Sequence, residues 1–211
     1  MRLYLIRHAQ TAWNLEGRAQ GHTDVSLDET GLEQARRLGS AFEGARLQTV
    51  LTSDLKRSYD TARPVAEAAG AALEPLRELR ERHMGDWEGL PYEELWAQAE
   101  ALAGGSPAFT VRPPGGESFA DVWDRLDPVV ERIVAMPDSV AVVTHGGTAA
   151  LLLAKLMQGN LITSRGFRFL NASVTELQRR PEGLFMMLRY NDAAHLEGLE
   201  ALAGGLHGSG R

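Results

Sequence analysis

The chain has 211 residues, 44% of them hydrophobic and 24% charged, which suits one soluble globular domain with ample length to bury a core. Its formal net charge of -6 argues against a general nucleic-acid or anionic-membrane surface, since both need a basic face. It has no cysteine, so disulfides, thiol nucleophiles and cysteine-type zinc sites are excluded.

No apolar run approaches the ~20 residues of a membrane span. Met1-Arg2 leads straight into a short apolar stretch, unlike a secretory leader. The expected compartment is therefore cytoplasmic. Arg2 to Arg7 reads as a buried strand, too short for a helix. Thr11 to Asp28 is polar, contains Gly17 and Gly21, and reads as a loop. Asp28 or Thr30 can cap a helix to about Phe42, with Leu32, Ala35, Leu38 and Phe42 at helical spacing. Thr49 to Thr52 is a second strand. Asp54 can cap a helix over about Lys56 to Ala69, kinked at Pro64. Ala72 to Leu76 is a third strand.

Pro91 to Ala103 reads as a helix with proline in its first turn. Gly104-Gly105-Ser106-Pro107 ends it, and Pro113-Pro114-Gly115-Gly116 is the strongest loop signal in the chain. Ser118, followed by Asp121, caps a helix running to about Ala135. Ser139 to Thr144 is a fourth strand and Thr148 to Met157 a further helix. Val174 to Gln178 and Leu184 to Tyr190 form a hairpin turning at Pro181-Glu182-Gly183. The glycine-rich tail from Gly198 is expected to fray.

Strand and helix alternate. The expected class is α/β, with a mostly parallel sheet covered by helices on both faces. Residues 1–197 make one domain, with about 90–117 as a cap-like insertion and 198–211 as a flexible tail. Ligands of such sheets bind beyond the carboxyl ends of the strands. Two histidines fall there, because the first strand breaks off at Arg7-His8 and the fourth at His145.

A strand ending in a cation beside an imidazole suits a phosphate site. Neutral imidazole attacks phosphorus readily, and the phosphohistidine formed is labile to water. Arg7 biases His8 towards the neutral form. His145 is followed by Gly146-Gly147-Thr148 and a helix start, which is an anion cradle. The three spaced glycines of a dinucleotide turn are missing there. Arg57 lies at a helix start, where a cation is disfavoured by the helix dipole. An ester leaving group needs a proton, and a carboxyl can supply it. Glu81 is a candidate, with Glu78, Asp86 and Glu88 as competitors that spacing does not separate. His8, His22, His83 and His145 show no helical metal-ligand pairing.

In these features the chain resembles the histidine phosphatase superfamily, with its phosphoglycerate-mutase-like fold. That family opens on Arg-His-Gly-Glu-Thr, where this chain has Arg7-His8-Ala9-Gln10-Thr11. Trp13-Asn14, the Ser53-Asp54-Leu55-x-Arg57 helix start, Glu81 ahead of Gly85-x-Trp87-Glu88-Gly89, and Thr144-His145-Gly146-Gly147 follow in the family's order. The likeness runs to about Leu196. It implies a three-layer sandwich and a phosphohistidine mechanism with no metal or other cofactor. His8 would carry the phosphoryl group, Arg7, Arg57 and His145 would hold its oxygens, and Glu81 would be the proton donor. It also implies phosphate or substrate contacts from Asn14, Gln20 and Gly21, with Gly146 beside them and Arg82 and His83 facing the substrate.

The resemblance divides into phosphatases and mutases. The mutases carry a longer insertion after the acid, with an adjacent arginine pair. Here Leu90 to Glu117 is short and Arg112 is its one cation, which resembles the phosphatase branch. The expected activity is hydrolysis of a small phosphorylated metabolite. The alternatives are a phosphoglycerate mutase and a non-catalytic phosphate-binding module. Ala9 and Gln10 depart from the family's Gly and Glu, and Gln10 removes a negative charge near the phosphate. Trp13, Met84, Trp87, Tyr92, Trp96 and Phe109 are candidates for an apolar pocket, with core packing the expectation for most. No nucleic-acid or membrane partner is expected, and base rates make a homodimer the first assembly to test.

Overall fold

The computed structural model describes residues 1–199. The expectation for the tail falls on residues that, beyond 199, lie outside this range. In chain order the elements are β1 (Arg2–Arg7), α1 (Ala12–Leu15), α2 (Glu29–Ala41), β2 (Thr49–Ser53), α3 (Lys56–Ala69) and β3 (Ala72–Leu76). Then come α4 (Tyr92–Leu102), α5 (Phe119–Arg125), α6 (Asp127–Ala135), β4 (Val140–Thr144), α7 (Gly146–Leu156), α8 (Leu161–Ser164), β5 (Val174–Arg179) and β6 (Phe185–Asp192). The strands form one six-stranded sheet in the order β3-β2-β4-β1-β5-β6. β3, β2, β4 and β1 run parallel. β5 and β6 add antiparallel at one edge.

Alternation along the strands sends apolar side chains to both faces. Leu3, Leu5, Val140 and Val142 pack on one face with Val122, Val129, Ile133 and Leu151 from α5, α6 and α7. Ile6, Val50, Ala141 and Val143 pack on the other with Ala35 and Leu38 from α2 and Ala62 and Val65 from α3. β2 and β4 are buried along their whole length because helices cover both their faces. A third small cluster joins Ala19, Trp87, Leu95 and Ala99, which ties α4 to the loop after β1. No helix of the described residues is long and apolar enough to cross a membrane.

Four local expectations need correction. The stretch after Thr11 is not all loop, because Thr11 and Asn14 form a reciprocal cap that nucleates α1. Asp54 does not cap α3; Leu55 stands at that position, and Asp24 Oδ1 accepts the Lys56 N–H instead at 2.7 Å. Asp54 is drawn to Arg80, which grips it through two bonds of 2.6 and 2.7 Å. The helix begun at Ser118 stops at Leu126 and restarts as α6, since Pro128 lacks the N–H that a continuous helix needs there. Finally, α7 begins two residues before Thr148, at Gly146. Between Asp28 and Thr30, Asp28 is the cap of α2, accepting the Gly31 N–H at 2.7 Å. α3 runs through Pro64 as one helix.

α2 presses on the segment that follows β1. A Cβ at Gly31 would overlap the Gln10 carbonyl. Gln34 Oε1 accepts the Gln10 N–H at 2.9 Å from the same helix. Gly31→Ala should therefore cost about 2 kcal/mol, the usual scale of overpacking, read as a lower midpoint in urea unfolding. A midpoint equal to the native one would show that α2 does not fix this segment.

Candidate active site

The site forms where β2, β4 and β1 end side by side. β1 and β4 pair in parallel with Arg7 opposite Thr144, so the next residues, His8 and His145, are neighbours. The His8 N–H donates to the Thr144 carbonyl at 2.8 Å, and the two imidazole centres lie 5.1 Å apart. β2 flanks β4 on its other side and leads into α3, which places Arg57 in the first turn of that helix. One pocket is lined by Arg7, His8, Asn14, Gln20, Gly21, Arg57, Glu81, Gly146 and Gly147, among others.

His8 is held in one tautomer. Its Nδ1 lies 2.6 Å from the Ala9 carbonyl. A carbonyl only accepts, so Nδ1 carries the proton and Nε2 keeps its lone pair. Burial, then the charges of Arg57 and Arg7, push the His8 pKa well below the usual imidazole value. The ring is thus a neutral nucleophile flanked by cations.

Arg57 is fully buried and donates to the carbonyls of Thr23 and Gly21, both at 2.8 Å. Burial lowers its pKa to about 10, which still leaves it a cation at neutral pH. Gly21 adopts φ of 51° and has Glu88 packed where a Cβ would stand, so the carbonyl that aims Arg57 depends on glycine. Arg7 donates to the Phe169 carbonyl at 2.6 Å. Asn14 is fixed by Thr11 and by Asn171, whose Nδ2 donates to its Oδ1 at 3.2 Å.

Several buried polar atoms in this region have no hydrogen-bond partner: both ring nitrogens of His145, Arg57 Nε and Gln20 Oε1. An unsatisfied buried donor costs about 1–3 kcal/mol. The His145 and Arg57 donors are suited to the oxygens of an anion. His145 is fully buried and its pKa is lowered well below normal, by burial first and then by Arg57.

Glu81 caps α7 from a distance. His145 stands at the N-cap without a side-chain bond to the helix. Glu81 Oε2 accepts the Gly147 N–H at 3.0 Å, and Oε1 accepts the Thr148 N–H at 3.2 Å and its hydroxyl at 3.1 Å. This explains why α7 starts at Gly146 without a local capping residue. The segment carrying Glu81 is gripped in turn. Arg125 donates to the carbonyls of Arg80 and Glu81 at 2.8 and 3.0 Å, and Thr144 Oγ1 to that of Leu79 at 2.6 Å. Residues of α5 and β4, distant in sequence, supply this grip, so no local spacing reveals it.

The competing carboxylates are engaged elsewhere. Glu88 accepts from the His22 N–H at 2.7 Å and from the Thr23 hydroxyl at 2.5 Å. Glu81 is the acidic side chain among the residues lining the pocket, and Glu78 and Asp86 are not among them. Arg82 and His83 also lie outside that lining. Arg82 is buried with its guanidinium over Phe119 at 4.1 Å, and burial lowers its pKa to about 10. His83 stacks on His22 at 4.6 Å. Of the apolar-pocket candidates, Met84, Tyr92, Trp96 and Phe109 line the pocket. Trp87 packs in the third cluster, and Trp13 carries Arg18 against its ring at 4.9 Å. Arg165 and Arg168, which sequence reasoning did not single out, also line the pocket. Among the described residues no group of three or more His, Asp or Glu side chains is placed to hold a metal ion.

The two departures at the first motif do not reach the pocket. Ala9 is buried and its N–H donates to Thr61 Oγ1 at 2.9 Å. Gln10 turns to α2, where Nε2 donates to Asp28 Oδ2 at 3.1 Å. A glutamate here would face the Asp28 carboxylate.

Cations around a neutral imidazole, an anion cradle and a carboxylate across from them make a phosphoryl-transfer site. The sequence pattern of the histidine phosphatase superfamily (branch 1) matches residues 3–193, and the chain belongs to that superfamily. It is 38% identical over 169 residues to the glucosyl-3-phosphoglycerate phosphatase of Mycobacterium tuberculosis, covering 74% of this chain and 75% of that one. It is 34% identical over 221 residues to the metal-independent phosphoserine phosphatase of Arabidopsis thaliana, covering 99% and 89%. The solved structure of mycobacterial glucosyl-3-phosphoglycerate phosphatase with VO3 superposes with a TM-score of 0.78 at 32% identity, over 90% of this chain and 98% of that one. Proteins named as phosphoglycerate mutases or mutase-like are similar as well.

The lowered pKa values of His8 and His145 set a stability trend. The folded chain resists protonation at both rings, while the unfolded chain binds protons near 6.5. Stability should therefore fall as pH drops below about 6.5. Replacing both rings, His8→Asn with His145→Gln, should flatten that fall in urea midpoints measured between pH 7 and 5. An unchanged slope would mean that neither ring is held neutral by the fold.

Proposed function

We propose that the chain is a metal-independent phosphomonoesterase that works through a phosphohistidine on His8. The observation that carries this reading is the single-tautomer, neutral His8 set between Arg7 and buried Arg57. The His8 Nε2 lone pair attacks phosphorus in line, and the ester P–O bond breaks as the N–P bond forms. Glu81 passes a proton to the departing oxygen. Water then attacks the phosphohistidine, Glu81 takes its proton, and the N–P bond returns its electron pair to Nε2. Arg7, Arg57 and His145 hold the equatorial oxygens as charge spreads over them. The Gly146 N–H at the start of α7 and the amides of Asn14 and Gln20 complete the cradle.

Arg82 and His83 fit a supporting place behind the wall, since the Arg82 N–H donates to Glu81 Oε1 at 3.0 Å. Hydrolysis is favoured over mutase chemistry because Arg112, the cation of the 90–117 segment, pairs with Asp121 at 2.6 Å and is not part of the pocket lining. The substrate in this reading is a small phosphorylated metabolite in the cytoplasm. Relatives named for glucosyl-3-phosphoglycerate and for phosphoserine act on phosphomonoesters of this size.

Turnover of p-nitrophenyl phosphate should persist in EDTA and fall at least about 1,000-fold in His8→Ala, as for loss of a nucleophile. Turnover that survives the substitution would remove His8 from the mechanism. Glu81→Gln should slow alkyl phosphates about 100-fold or more, the scale of general acid catalysis, and slow p-nitrophenyl phosphate far less, because p-nitrophenolate departs without a proton. Equal losses for both leaving groups would show that Glu81 is not the acid.

A further inference from the structure

The pocket lining is not polar throughout. It includes the apolar and aromatic side chains of Met84, Trp96, Phe109, Phe119 and Phe167. The same lining takes in Arg165, at the C-terminal end of α8. The Arg165 guanidinium lies over the Phe109 ring at 4.1 Å. α8 is itself fixed by Asn160, whose Oδ1 accepts the N–H groups of Ile162 and Thr163 at 2.9 and 3.1 Å.

Arg165 is an exposed arginine that lines the pocket. Arg36, Arg80, Arg112 and Arg132 each pair with a carboxylate. Arg165 makes no ion pair among the described residues, although the chain as a whole is acidic. Glu81, the carboxylate in the pocket lining, is already bound to the start of α7. Stacking on an aromatic face occupies the plane of a guanidinium and leaves its in-plane N–H fork to be used. That fork matches the two oxygens of a carboxylate.

We infer that Arg165 is a specificity residue that binds a carboxylate on the alcohol portion of the substrate, within the same pocket as the phosphoryl group. The substrate is then a phosphomonoester with two anionic ends joined by an apolar or ring-bearing body. The inference rests on the proposed phosphatase reading only for the identity of the phosphoryl end.

The test separates binding from turnover. Quenching of tryptophan fluorescence, with Trp96 in the pocket wall, reads Kd for phosphonates that are not hydrolysed. Two matched pairs cover two lengths: 4-(carboxymethyl)benzylphosphonate against 4-ethylbenzylphosphonate, and 3-phosphonopropanoate against propylphosphonate. In at least one pair the native chain should bind the carboxylated member about tenfold more tightly, the worth of one charge-assisted hydrogen-bonded contact. Arg165→Ala should erase that preference while leaving the neutral member's Kd unchanged, and Arg165→Lys should keep part of it. Equal affinities within both pairs, a preference that survives Arg165→Ala, or a loss shared by both members would overturn the inference. A carboxylate preference in a chain that hydrolyses no phosphomonoester would leave Arg165's role standing and refute the phosphatase reading instead.

Discussion

The parallel pairing of β1 with β4 is the constraint on which the site depends. Its register puts Arg7 opposite Thr144, and each strand continues for one more residue into a histidine. No loop closure is needed to bring His8 and His145 together, because two buried neighbouring strands end at the same level. β2 adds Arg57 from the far side of β4. The phosphate pocket is thus the carboxyl edge of a sheet whose central strands are locked by apolar packing on both faces. A strand slip by one residue would turn the side chains of β1 to the wrong faces and part the two imidazoles.

Burial then sets the chemistry. Desolvation keeps His8 and His145 neutral, while arginine remains charged even when burial lowers its pKa. The same dry environment yields a nucleophile with a free electron pair and cations with few local anions. The start of α7 contributes backbone N–H groups to the same place, and Glu81 is tied to them. The carboxylate proposed to serve the leaving group is also the cap of the helix whose start adjoins the proposed phosphate site. Displacing Glu81 therefore disturbs both parts of the site.

Much of this was legible in the sequence because the informative residues sit at strand ends. Short apolar runs located the four parallel strands and the hairpin, and the residues just past them were Arg7, His8 and His145. Asp28 and Ser118 were legible as caps because their partners lie within three residues. Asp54 misled because its partner is Arg80, across a tertiary contact, and α3 takes its cap from Asp24. The break at Leu126 follows from Pro128, which the expectation of one helix to Ala135 did not use. The grip of Arg125 on the Glu81 segment and the place of Arg165 in the pocket wall leave no periodic or spacing signal. They depend on how α5 and α8 dock, which is a property of the packed fold.

The central claim is that a phosphoryl group passes through His8. Rapid quench of the enzyme with a 32P-labelled phosphomonoester, followed by peptide mapping under alkaline conditions, tests it most directly. The account predicts a transient, acid-labile and base-stable phosphoryl group on the peptide containing His8, formed and lost at rates compatible with turnover. Steady release of phosphate with no labelled enzyme, or label on another residue, would contradict it.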